Sequence, residues 1–204
     1  MAQNIFIRGN SKLSNKVLIF NLPPGGAGQG GTCRPSAWCS KHCYAMKGLH
    51  TFPTVKSANN KRLLMSLDGS FADLSIKELA RTKKPYVRIH SSGDFYSTEY
   101  IRKWIKICKA HPDKKFLAYT KSHHLTDDLK VLGRLKNVVL YESVDGSKQK
   151  AKTPFLRAMI EDCGLASPRA AKKRIRETIV CPGECEPCGF KCWDGDKHVI
   201  FPKH

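Results

Sequence analysis

The 204-residue chain has no apolar run approaching the roughly 20 residues that a membrane span requires, and no apolar secretory segment at its start. The first absence argues against a membrane partner, and the second points to a reducing cytosol. It also lacks an internal repeat and a low-complexity linker. With 41% hydrophobic residues the chain can bury one substantial core, so a single domain over 1–204 is expected. Acidic residues are scarce as well, with 17 Asp and Glu against 36 Lys and Arg, a formal charge of +19. A field of that sign attracts polyanions by counterion release, so nucleic acid, or a phosphorylated or acidic partner, is the expected company. No base-reading motif accompanies the charge. Basic residues are dense at Lys148, Lys150 and Lys152, and again in SPRAAKKRIRET with Arg169, Lys172, Lys173, Arg174 and Arg176. The Ser-Pro start of that run reads as a solvated basic helix face.

What is present is cysteine. Seven of the nine fall in two clusters, GGTCRPSAWCSKHCYAMKG with Cys33, Cys39 and Cys43, and CPGECEPCGFKCWDG with Cys181, Cys185, Cys188 and Cys192. Spacings of two to five residues let a short loop wrap several thiolates around one soft metal centre at small entropic cost. A disulfide framework fits poorly: the count is odd and the chain is longer than the small scaffolds that need staples. The C-terminal segment, 181–193, can by itself close a tetrahedral zinc site or a fully ligated iron–sulfur cluster, and both ends can share one centre. Cys108 falls on the apolar stripe of STEYIRKWIKICKAH and reads as core packing; Cys163 has no close cysteine neighbour.

Strand and helix signals alternate. KVLIFNL, YVRIH, KFLAYT, NVVLYES, TIVCPG and KHVIFP read as strands; TVKSANNKRLLMSL, SFADLSIKELAR, STEYIRKWIKICKAH, HLTDDLKVLGRL and TPFLRAMIEDCG read as helices. The alternation implies an α/β fold with a parallel sheet, and the modest length favours a partial (β/α) barrel over a complete eight-stranded one. Ligands of such sheets collect where strands end. His90, Ser91, Ser92, Gly93 and Asp94 follow YVRIH, Lys121, Ser122, His123 and His124 follow FLAYT, and Glu142 and Ser143 end NVVLYES. Together with the Cys33–Cys43 loop they form a candidate active-site mouth. Plainer roles stand beside that one: Asp94 as a helix cap, Gly93 as a positive-φ turn residue, His123 and His124 as an exposed pair, and Arg88 facing either side of its strand.

GGTCRPSAWCSKHCYAMKG, VRIHSSGDFYSTEYIRKW, FLAYTKS and the CGFKCW tail together resemble the phage gene product 88 family from about Ile5 to Trp193. The same organisation is similar to a short radical S-adenosylmethionine enzyme, with a partial barrel, three cysteines after the first strand and a polar motif after the second. That resemblance implies a 4Fe–4S cluster on Cys33, Cys39 and Cys43 with one open iron for S-adenosylmethionine. It further implies Ser92, Gly93 and Asp94 facing the methionine ammonium, Lys121 or His90 meeting a carboxylate or ribose, and Glu142 on the same rim. It also implies an electron donor as partner and the host cytoplasm as location. Here the loop reads CxxxxxCxxxC rather than CxxxCxxC, and the acidic residue is Asp rather than Glu.

Overall fold

The computed structural model describes residues 4–144, 154–160 and 178–202. They form one α/β domain around an eight-stranded sheet with strand order β1-β2-β3-β4-β5-β6-β8-β7. The strands are β1 (Ile7–Arg8), β2 (Val17–Phe20), β3 (Tyr86–Ile89), β4 (Lys115–Thr120), β5 (Val138–Val144), β6 (Leu156–Ile160), β7 (Thr178–Val180) and β8 (His198–Phe201). Only β1 runs antiparallel, against β2; every other pairing is parallel. From β2 to β6 spatial order follows chain order, so each connection steps to the next strand in the same direction.

Among the described residues six α-helices accompany the sheet: α1 (Ala37–His42), α2 (Pro53–Leu67), α3 (Phe71–Ala80), α4 (Thr98–Ala110), α5 (Thr126–Gly133) and α6 (Cys185–Cys188). Helix α4 shows how they form. Ser97 accepts a hydrogen bond from the Tyr100 amide as N-cap, and Tyr100, Ile101, Trp104, Ile107 and Cys108 line one buried stripe. That stripe joins Leu18, Phe20, Val87, Ile89, Phe116 and Ala118 from one face of the sheet, with Phe71 and Leu79 of α3. Cys108 is packing, as its position on the stripe predicts.

Among the described residues the opposite face is covered by the cysteine-rich tail, which includes the short helix α6. Val17, Ile19, Leu117, Tyr141, Ala158 and Val199 pack against Phe190 and Trp193. Phe190 stacks on Tyr86 with ring centroids 4.5 Å apart, and the Tyr141 hydroxyl donates to the carbonyls of Cys192 and Lys197. The tail also grips the turn before β2: the Cys185 amide donates to the Lys12 carbonyl at 2.8 Å and Ser14 Oγ donates to Glu186. Both faces of β2 are therefore covered, which is why VLIF is buried at all four positions.

One expectation is corrected. TPFLRAMIEDCG is not a helix where it is described: Leu156–Ile160 is strand β6, hydrogen-bonded between β5 and β8. Its helix-forming residues yield to a vacant ladder position between two parallel strands, a case of tertiary pairing overriding local propensity. The short strand β1 is additional, too brief to leave a periodic signal. Cys163, Lys148, Lys150, Lys152 and the run Arg169, Lys172, Lys173, Arg174 and Arg176 lie outside the described residues. No helix among the described residues is long and apolar enough to cross a membrane.

Candidate functional site

The loop after β2 returns on itself. The Thr32 amide donates to the Pro23 carbonyl at 3.0 Å and the Cys33 amide to that of Gly25 at 2.9 Å. A Cβ on Gly31 would stand 2.1 Å from the Gly25 carbonyl oxygen, so only glycine lets the two limbs approach. The glycine-rich stretch thus folds Cys33 back to the carboxyl end of β2. Ser36 caps α1, which carries Cys39, and Cys43 begins a single 3-10 turn over Tyr44–Met46.

The three thiols are electrostatic neighbours. Cys39 is hydrogen-bonded to Cys43, whose pKa is lowered to about 6 by that bond, with the Ala45 and Met46 amides and Lys47 adding to it. Cys33 is pushed up to about 12, chiefly by burial and then by the Asp94 charge, with Lys121 opposing. Cys39 is raised, first by its bond to Cys43 and then by burial. All eight described cysteines are free thiols. Among the described residues no three Cys, His, Asp or Glu side chains converge closely enough to hold a metal ion directly. The loop nonetheless gathers three half-buried thiols with Lys121 acting on two of them.

The loop after β3 is pinned to the end of β2. Asn21 Oδ1 accepts from the amides of Ser91 (2.8 Å) and Ser92 (3.2 Å), Ser92 Oγ donates to the Leu22 carbonyl, and the Leu22 amide donates to that of Ser92. Gly93 has φ +79°, and a Cβ there would lie 2.5 Å from Leu22 Cβ. It is the positive-φ residue its position suggests. Asp94 is buried and turned inward. Its carboxylate accepts from the Phe95 amide (2.8 Å), Thr120 Oγ1 (2.7 Å) and the Lys121 amide (2.8 Å), and its own amide donates to Thr32 Oγ1. Burial raises its pKa while these donors lower it. It ties together the ends of β2, β3 and β4, and the cap of α4 is Ser97 instead.

His90 also leaves the mouth. Its φ of +65° turns the ring to the helix side of the sheet, where Nε2 meets the Tyr100 hydroxyl at 2.7 Å. Burial, followed by the charge of Arg88, lowers its pKa to about 3. Because the folded value lies below the ordinary 6.5, the stability His90 contributes is present above pH 6.5 and is lost as pH falls toward 3. Stability should decline by about 1.4 kcal/mol per pH unit through that window from this group. Asp94, with its raised pKa, acts in the opposite sense. Denaturant titrations at pH 7 and pH 5 should therefore compare the protein with His90→Asn, which tolerates positive φ. A smaller pH dependence in the variant is expected; an equal one would remove His90 as the cause.

At the rim, Lys121 Nζ donates to Ser143 Oγ at 2.8 Å and to the Ser143 carbonyl at 3.1 Å. His123 Nδ1 lies 3.5 Å from the buried Glu142. The Tyr44 hydroxyl donates to the Ser91 carbonyl, and the buried Ser91 hydroxyl has no partner among the described residues. The mouth thus brings together Cys33, Cys39, Cys43, Lys121 and Ser91. Ser92, Gly93 and Asp94 build its floor, and His90 belongs to the core. Asn21, Thr32 and Tyr44 were not anticipated; Asn21 at a strand end and Thr32 beside Cys33 carried a positional signal.

The tail thiols make a second group on the other face. Cys181, Cys188 and Cys192 line a cavity of about 360 Å³ with Pro182, Pro187 and Lys191. Cys185 is raised to about 12, first by burial and then by Cys192, Cys188 and Cys181. Arg88 resolves to this face: its guanidinium sits 3.9 Å over the Tyr119 ring, and its charge opposes the rise in pKa that burial imposes on Cys185, Cys192 and Tyr44.

Comparison with known proteins identifies the company this chain keeps. The family model for Gene product 88 matches residues 4–200. The Gene 88 protein of Mycobacterium phage L5 is 33% identical over 207 residues, covering 86% of this chain and 83% of that protein. The Gene 88 protein of Mycobacterium phage D29 is 31% identical over 204 residues with the same coverage. No solved structure matches.

Proposed function

We propose, from the premise that this chain belongs to the Gene product 88 family of phage proteins, that it is an iron–sulfur protein of radical S-adenosylmethionine type, with a polyanionic substrate or partner. The observation that carries this reading is the return of Cys33 to the carboxyl end of β2, beside Cys39, Cys43 and Lys121. The parallel strands β2 to β6, neighbours in chain order, support a partial (β/α) barrel arrangement, in which ligands gather at the carboxyl edge. A 4Fe–4S cluster held by these three thiolates would keep one iron open to the amino and carboxylate groups of S-adenosylmethionine and supply the electron for its reductive cleavage. Lys121 supplies a cation toward a carboxylate, and the Ser91 hydroxyl supplies an unspent donor. Asp94 positions the loop from beneath. An electron donor in the host cytoplasm would complete the system.

A second centre is proposed for the tail. Cys181, Cys188 and Cys192 line one cavity there, and the four tail thiols would serve either a zinc ion or a fully ligated second cluster. One observation favours a non-catalytic alternative, a metal-stabilised nucleic-acid-binding protein: the Asp94 carboxylate already serves three donors of its own chain.

The deciding experiment measures iron, sulfide and zinc on protein purified without oxygen, with visible and paramagnetic spectra of the dithionite-reduced protein before and after adding S-adenosylmethionine. Brown protein that bleaches on reduction and whose reduced spectrum shifts with the cofactor is the expected result. Iron without a shift supports the non-catalytic alternative, and colourless protein holding only zinc overturns the redox reading.

A further inference from the structure

The first acidic residue of the chain is Asp68; the 67 residues before it hold nine Lys and Arg and no Asp or Glu. Within that stretch, residues 34–56 are the most exposed part, wrapping the cysteine loop at the rim of the sheet. Tyr44 and Phe52 are each about half exposed, Leu49 is 72% exposed, and Met46 lies beside them in sequence. Trp38 stacks on His42 with ring centroids 4.6 Å apart, and Tyr44 meets His50 edge-on at 5.5 Å. Arg34, Lys41, Lys47 and Lys56 are all exposed among these rings. Arg34 lies close enough to lower the pKa of His124, so the positive surface continues onto the loop after β4.

Exposed rings interleaved with cations and free of carboxylates are what single-stranded nucleic acid needs. Each base offers a face for stacking and each phosphate a charge to neutralise. A duplex hides its base faces, and an acidic polypeptide has no use for the rings.

We propose that residues 34–56 bind single-stranded nucleic acid, with bases stacking on Trp38, Tyr44 and Phe52 and phosphates meeting Arg34, Lys41, Lys47 and Lys56. This names the polyanion of the function proposed above and rests on that part of it alone; binding does not require the metal.

The test titrates the full-length protein with oligothymidylate and oligouridylate 20-mers and follows tryptophan fluorescence. Trp104 and Trp193 are buried, so Trp38 is the reporter. Quenching should saturate, with log K falling against log salt at a slope of about −3 for four single-strand phosphates. Lys41→Glu with Lys47→Glu should weaken binding more than tenfold and flatten that slope. Phe52→Ala should weaken it roughly tenfold at unchanged slope. The two oligomers distinguish RNA from DNA as the natural ligand. Absent quenching, preference for duplex, equal binding of polyglutamate, or an unaffected Phe52→Ala protein would each overturn the proposal. Iron content is measured on the same samples: iron-free protein that binds rejects only the cluster, and iron-loaded protein that does not bind rejects only this face.

Discussion

On the two-cluster reading proposed above, serine in place of Cys33, Cys39 or Cys43 should remove roughly half of the bound iron and all of the spectral response to S-adenosylmethionine. Three thiolates are the minimum for a cluster with one open iron, so each loss is close to complete rather than partial. Replacing Cys181, Cys188 or Cys192 instead should remove the other half and leave the response intact. The groups are separable because they occupy different surroundings: the first interacts with Asp94 and Lys121, the second with Arg88 and Tyr119. The tail variants should still fold, because Phe190 and Trp193 anchor that segment to the sheet without metal. Unchanged iron in the Cys33, Cys39 and Cys43 variants would show that this loop holds no cluster. Loss of all iron in every variant would mean that the two ends share one centre.

Asp94→Ala should be the most destabilising single substitution near the mouth. It strands the buried amides of Phe95 and Lys121 and the hydroxyl of Thr120. Each unmet buried donor costs about 1–3 kcal/mol, so a loss of at least about 3 kcal/mol is expected. For a chain of this size that lowers Tm by about 6–12 °C. Asp94→Asn should fall between, since its amide oxygen keeps two donors while its NH₂ group faces the Lys121 amide. Thermal melts followed by circular dichroism decide the matter. An Asp94→Ala protein that melts within 2 °C of the original yet fails to respond to S-adenosylmethionine would return the carboxylate to direct contact with the ligand.

The sequence by itself determined the parallel α/β alternation, the strands β2 to β5, β7 and β8 with α2 to α5, the carboxyl edge as the place where polar residues gather, and the two thiol groups. These are local signals: apolar periodicity, turn residues at strand ends, and short cysteine spacings that no fold can pull apart. Only the tertiary structure decided the rest. Leu156–Ile160 became a strand because β5 and β8 offered it a ladder on both sides. The tail came to lie across the face opposite the helices because Tyr86, Leu117 and Tyr141 present an apolar surface there, assembled from strands far apart in the chain. His90 entered the core and Asp94 turned inward through a positive φ in one case and donors from a neighbouring strand in the other. Spacing along a chain sets which residues arrive at a site, but the direction of each side chain depends on the partners that distant segments bring to it.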